Sequence, residues 1–210
     1  MKLTIIRHAE SVGNFEGRWQ GHQDFPLSDS GIQQAQKLHK SFVNSQLSPS
    51  YVYSSPLSRT LSTAEIAFPN YKIITISDLI ERDTGIFSGK TALDIKQQFP
   101  EIAEQFAVTK DLNFVPEAEN KYDLMKRANK VIDFLIKGHN QSDEIVVFSH
   151  GGLMIYLIAV ILGTNRIWKT KILNTSIFEF EIDSDNWMGS NNLSSDFEIL
   201  KFSDLNHLNE

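Results

Sequence analysis

Cysteine is absent from all 210 residues, so no disulfide framework holds this fold, and a reducing, cytoplasmic setting is the expectation. No apolar run approaches the roughly 20 residues that span a bilayer, which leaves a membrane out of the expected partners. The opening MKLTIIRHAES has a very short apolar stretch that meets Arg7 and His8 at once, unlike the hydrophobic region of a signal peptide. Positive charge is scarce as well: 20 Lys and Arg stand against 26 Asp and Glu, a net charge of −6. That balance speaks against a general affinity for nucleic acid, which relies on a basic surface. It leaves room for a small anion, since a few arginines converging in one cleft make a local positive potential on an acidic protein. Repeats, low-complexity tracts and linkers are missing, and at this length one domain over residues 1–210 is the expectation.

What is present alternates between strand and helix patterns. Lys2–Ile6, Tyr51–Ser54, Lys72–Ile76, Glu144–Ser149 and Ser176–Ile182 read as strands. A helix is expected from Ser28 or Asp29 to about Asn44, with Ile32, Ala35, Leu38, Phe42 and Val43 at helical spacing. Leu57–Phe68 reads as a second helix stopped by Pro69, Glu117–Lys137 as a third with Gly138 behind it, and Gly151–Leu162 as a fourth, buried one. This order predicts an α/β fold: a three-layer sandwich around a mostly parallel sheet covered on both faces. Thr91–Pro116 breaks the alternation with short helical pieces and reads as an inserted helical lid. Ser176 to Phe202 reads as a hairpin around the polar stretch DSDNWMGSNNLSSD.

Two stretches share one grammar. TIIRHAES and IVVFSHGG each run an apolar strand into a histidine and then into small or polar residues that start a helix. In open α/β sheets ligands bind beyond the carboxyl ends of the strands, so His8 and His150 fall where a site is expected. Gly151 and Gly152 let backbone N–H groups at a helix start approach a phosphate closely. Arg59 lies in the first turn of its helix, against the macrodipole, where a bound anion would compensate it. Glu81 stands beyond the third strand and supplies a carboxyl group able to hand a proton to a leaving oxygen. Arg7, Arg59, His8, His150 and Glu81 together suit phosphoryl transfer without a metal or other cofactor. Arginine forks neutralise phosphoryl oxygens, one neutral histidine attacks phosphorus, and the carboxylic acid protonates the departing oxygen.

RHAESVGN, GHQDFPLSDSGIQQA, SSPLSRTLSTAEIA, ERDTGIFSG and FSHGG together resemble the histidine phosphatase superfamily in its phosphoglycerate mutase-like branch. The five blocks follow the family's order from Met1 to about Leu162. The resemblance implies that His8 is the phosphorylated nucleophile, that Arg7, Arg59 and His150 form the phosphate pocket, that Asn14 helps hold the phosphate, and that Glu81 is the proton donor. Gln20, Gly21 and His22, where the first block passes into the second, are candidates for substrate contact, and Arg18, Trp19, Arg82 and Lys90 for the entrance.

Two departures bear on activity. Ala9 stands where the family usually has glycine, so the turn after His8 must be one that alanine tolerates. The adjacent arginine pair of the cofactor-dependent mutases is missing, which favours a phosphatase, in which water takes the phosphoryl group, over a mutase. Three rival readings carry less. A metal hydrolase has His8, His150, Glu10 and Glu81 as ligands, but Arg7 and Arg59 would oppose a divalent ion and no HExxH occurs. A serine hydrolase lacks its GxSxG, and a binding protein without activity would have no need of all five polar groups. His39, His139 and His207 read as surface residues. The expected ligand is a small phosphate ester of unspecified structure, and the sequence does not fix an oligomeric state.

Overall fold

A computed structural model describes residues 1–167, 171–187 and 197–209. The chain runs β1 (Lys2–Arg7), α1 (Val12–Phe15), α2 (Asp29–Asn44), β2 (Tyr51–Ser54), α3 (Ser58–Ala67), β3 (Ile73–Thr75), α4 (Ala92–Gln98), α5 (Pro100–Thr109), α6 (Lys121–Lys137), β4 (Glu144–Ser149), α7 (Gly151–Ile161), β5 (Ile177–Ile182) and β6 (Phe197–Asp204). Short 3₁₀ turns punctuate it at Ser77–Leu79, Gly85–Phe87, Leu112–Phe114 and Asn206–Asn209. The six strands form one sheet in the order β3-β2-β4-β1-β5-β6. Neighbours among the first four are parallel, whereas β5 pairs antiparallel with β1 and with β6. The expected mostly parallel sheet, helices on both faces, is therefore the observed architecture.

The period of two in the strands sorts their side chains into two cores. Leu3 and Ile5 of β1 and Ile145 and Val147 of β4 meet α6 and α7, while Ile6, Val146 and Phe148 point to α2 and α3. Because β1 and β4 are buried on both faces, their apolar runs are nearly continuous, as central parallel strands require. In α6, Leu124, Ala128, Val131, Ile132 and Leu135 share the buried face, and α7 is buried almost all round.

Several boundaries differ from expectation. α6 begins at Lys121, capped by the Asn120 side chain on the N–H groups of Tyr122 and Asp123, four residues later than its apolar pattern suggested. Glu117 takes φ 64°, in the left-handed region, where a helix cannot run. On α2, Ile32 and Val43 fall outside the buried stripe, and on α6 Phe134 remains half exposed against Tyr53 and His139. His207 is not a surface residue: it is 2% exposed in the C-terminal 3₁₀ turn, and its Nε2–H donates to Thr175 Oγ1 at 2.9 Å. His39 and His139 are half buried and bonded, His139 to the Tyr53 hydroxyl at 2.8 Å. The tip of the β5–β6 hairpin, residues 188–196 of the expected polar loop, lies outside the described residues.

The stretch expected as a lid contains α4, α5 and the Leu112–Phe114 turn. Thr91 and Asp94 close a capping box on α4, and Pro100 opens α5 where it has no N–H to lose. Phe87, Ile95, Leu112 and Val115 give this segment a small core of its own, joined by Trp19. Its ends are pinned by antiparallel bridges between Arg18 and Thr91 and between Thr84 and Ala118.

Candidate active site

Parallel pairing sets the two histidines side by side. Arg7 is in register with Ser149, the next residue on each strand is a histidine, and the His8 and His150 rings lie 5.1 Å apart. Both are buried where the sheet ends, and His8 lines a cleft of about 660 Å³ there. Nδ1 of His8 is 2.7 Å from the Ala9 carbonyl oxygen. A carbonyl only accepts, so Nδ1 carries the hydrogen, and the neutral ring keeps its lone pair on Nε2. Burial, followed by the charges of Arg7 and Arg59, holds His8 well below its ordinary pKa of 6.5. The neutral, nucleophilic form is thereby the prevailing one at neutral pH.

Arg59 is a buried cation and Arg7 a half-buried one, and both have little opposing charge. Arg59 is 0% exposed; it donates to the carbonyls of Gly21 and Gln23 at 3.0 and 2.9 Å, and its nearest carboxylate is Asp24 at 3.8 Å. Burial pulls its pKa down to about 10, with Glu81 and Asp24 pushing the other way, so it stays charged at neutral pH. Arg7 donates NH1 to the Ile172 carbonyl, but its buried Nε has no partner, and no carboxylate comes within ion-pairing distance among the described residues. A buried donor without an acceptor is costly unless something anionic completes it.

Glu81 sits six residues beyond β3, after the Ser77–Leu79 turn, rather than at the strand end itself. Its carboxylate accepts from Gly152 N at 3.2 Å, Leu153 N at 3.1 Å and Arg82 N at 2.8 Å. The amides at the start of α7, expected to face a phosphate, are thus taken by Glu81, and a Cβ at Gly152 would come within 2.4 Å of its Oε1. Gly151 packs against the Arg7 guanidinium instead, and a Cβ there would stand 3.4 Å from Arg7 Nε, an ordinary contact that does not demand glycine.

His150 lies behind the cleft. Arg59 Nε donates to its Nδ1 at 3.3 Å, so Nε2 carries the hydrogen and faces Ser55 Oγ at 2.8 Å and Thr60 Oγ1 at 3.0 Å. Burial first, then Arg59, keeps it neutral as well. With both nitrogens engaged by protein, His150 orients Arg59 in this geometry instead of opening onto the cleft.

The remaining candidates divide. Asn14 lines the cleft, its Oδ1 accepting from Ser11 and Asn174, which leaves its NH₂ to donate. Gln20 also lines it and accepts from the Ser11 hydroxyl, while Gly21, at φ 51°, offers its carbonyl to Arg59. His22 does not line the cleft; its Nε2–H bonds the Glu81 carbonyl at 2.9 Å. Arg18, Trp19 and Arg82 border the opening, but Lys90 does not. Ala9 has an ordinary negative φ, is buried, and donates its N–H to Thr63 Oγ1, so no glycine is needed there. Glu10, without a role in the sequence, accepts from the Ser28 side chain at 2.6 Å and ties the turn to the cap of α2.

Some contributors escaped the sequence. Asp24 accepts from Ser58 N and Ser58 Oγ, capping α3 from a distant part of the chain. Ser55, Thr60 and Thr63 lie inside a block already singled out, but their hydroxyls read as ordinary helix-start residues. Arg127 binds the backbone around Glu81 from α6, and a lone arginine on an amphipathic helix carries no signal of that use. Among the described residues, no three His, Asp or Glu side chains gather as metal ligands.

Residues 3–191 match the family model for the histidine phosphatase superfamily, branch 1. The chain belongs to that superfamily. Phosphoglycerate mutase-like protein 4 of Arabidopsis thaliana is 30% identical over all of this chain and 87% of its own length. Phosphoserine phosphatase 1 of Hydrogenobacter thermophilus is 32% identical over 84% of each. Among solved structures, a phosphoserine phosphatase mutant from Entamoeba histolytica in complex with phosphoserine superposes with a TM-score of 0.78 at 25% identity, covering 99% of this chain and 98% of that one. This superfamily member thus shares its fold over nearly its whole length with enzymes of phosphate esters.

Proposed function

We propose that this protein is a metal-independent phosphomonoesterase that works through a phosphohistidine at His8. The observation that carries the reading is the buried, neutral His8, its Nδ1–H committed to Ala9, beside the buried guanidinium of Arg59 and the half-buried one of Arg7, whose buried Nε has no partner. The lone pair on Nε2 attacks phosphorus, and the P–O bond to the leaving group breaks as the N–P bond forms. Arg7, Arg59 and the Asn14 amide neutralise the phosphoryl oxygens as charge develops, and His150 holds Arg59 in place. Glu81 in its acid form gives its proton to the departing oxygen. A water molecule then attacks the phosphohistidine, returning a proton to Glu81 and releasing phosphate.

Six cationic side chains line the cleft against the two carboxylates of Glu81 and Asp111. That exceeds what one phosphate dianion needs, and favours an ester carrying a second anionic group. The names of the relatives lean the same way: metal-independent phosphoserine phosphatase of Arabidopsis thaliana is 26% identical, and a phosphoserine phosphatase from Entamoeba histolytica was solved with 3-phosphoglyceric acid. We read the substrate as a phosphorylated hydroxy or amino acid met in the cytoplasm, not a nucleic acid or a lipid surface, and the chain as one domain with residues 91–116 as its lid. A phosphate-release panel of phosphoserine, phosphoglycerates, sugar phosphates and nucleotides, with chelator present, tests this. Fastest release from a carboxylated ester is expected. Loss of activity with chelator, or interconversion of phosphoglycerates without phosphate release, would overturn it.

A further inference from the structure

The Glu81 carboxyl group is presented by a stretch, Ile80 to Asp83, that has no helix or strand of its own. His22 bonds the Glu81 carbonyl from one side, and a single side chain, Arg127, holds three carbonyls of this backbone from the other. Arg127 of α6 donates NH1 to the carbonyls of Asp78 and Ile80 at 2.9 and 2.6 Å and NH2 to that of Glu81 at 3.4 Å. Its other edge forms a two-point pair with the Glu119 carboxylate, at 2.9 and 2.6 Å. Both side chains are largely buried, 13% and 17% exposed. The Glu119 carbonyl in turn accepts from Arg82 Nε at 2.9 Å, and Glu119 N donates to the Asp83 carbonyl at 3.0 Å, so the acid loop is gripped from both flanks.

The geometry points to Arg127, oriented by Glu119, as a positioning residue for the Glu81 proton transfer. Only a planar guanidinium with five donors spans three carbonyls and a carboxylate at once; an ammonium keeps the charge but not the fork. Misplacing a proton donor by about 1 Å costs on the order of a hundredfold in the step it serves. The cost falls on substrates whose leaving oxygen must be protonated. Aryl esters with acidic leaving groups are spared. The inference rests on the reading of Glu81 given above.

Steady-state kinetics of Arg127→Lys and Glu119→Gln with phosphoserine and with p-nitrophenyl phosphate test it, alongside Glu81→Gln and the two double variants. The expectation is a fall in kcat of about tenfold or more for phosphoserine, at little change in KM, against less than about threefold for the aryl ester. In the Glu81→Gln background the same replacements add nothing to that ratio. Equal losses on both esters, or losses that add to Glu81→Gln, would reduce Arg127 to a structural role and overturn the inference. If Arg127→Lys does not fold, Glu119→Gln, which keeps neutral hydrogen bonds, carries the comparison alone. Failure of the wild-type protein to turn over either ester would overturn the phosphatase reading itself.

Discussion

On the proposed mechanism, His8 becomes a nucleophile through its neighbours: a carbonyl that takes one ring hydrogen, burial, and two arginines that repel a second proton. The lowered pKa of His8 places the acid limb of its kcat/KM profile below pH 6.5, the ordinary histidine value, and a pH-rate curve checks this directly. His8→Ala should abolish turnover of every ester. Glu81→Gln should slow phosphoserine far more than p-nitrophenyl phosphate; equal slowing would argue against the acid role. At Ala9, replacement by glycine should give no gain in activity and cost about 0.4–1 kcal/mol of stability, because the native φ suits alanine and glycine only adds freedom to the unfolded chain. These residues could be read from sequence because each follows an apolar run or opens a helix. His207 and the orientation of His150 could not, since their partners, Thr175 for one and Ser55, Thr60 and Arg59 for the other, lie 32 and at least 90 residues away.

Helices and strands place these groups through their ends. The start of α7 binds Glu81, Asp24 caps α3 beneath Arg59, and the cap of α2 locks onto Glu10. Gly31 in the first turn of α2 passes so close to β1's exit that a Cβ would stand 1.9 Å from the Glu10 carbonyl oxygen. Gly31→Ala must therefore move backbone, and a loss of about 1–3 kcal/mol is expected from denaturant unfolding. Thr175, a β-branched residue held at φ 60°, shows similar strain in the turn behind His8, where its N–H and the Asn174 amide bond the Arg7 and His8 carbonyls. Periodicity revealed the long elements well, because α6 and β4 bury one face or both. It misplaced the start of α6 because Glu117, Ala118 and Glu119 are residues a helix accepts; only the Asn120 cap, a local hydrogen-bond choice, marks the boundary.

Over the whole molecule, a chain of net charge −6 concentrates cations in one cleft. Salt should therefore raise KM more steeply for phosphoserine than for a singly substituted alkyl phosphate of the same size, a difference measurable by initial rates. Stability should follow pH through the two buried neutral histidines. Unfolded, each takes up a proton near pH 6.5; folded, each resists to well below that value. The unfolded state then binds more protons, so Tm should fall as pH drops below about 6.5 and level off only below the folded pKa values, which a calorimetric series would show. The most direct measurement is acid-sensitive trapping of the phosphoenzyme during turnover, with the modified atom assigned by phosphorus NMR. One phosphoryl group on Nε2 of His8, absent in His8→Ala, is the predicted result. Phosphate on Nδ1, on another residue, or turnover with an unmodified His8 would contradict it.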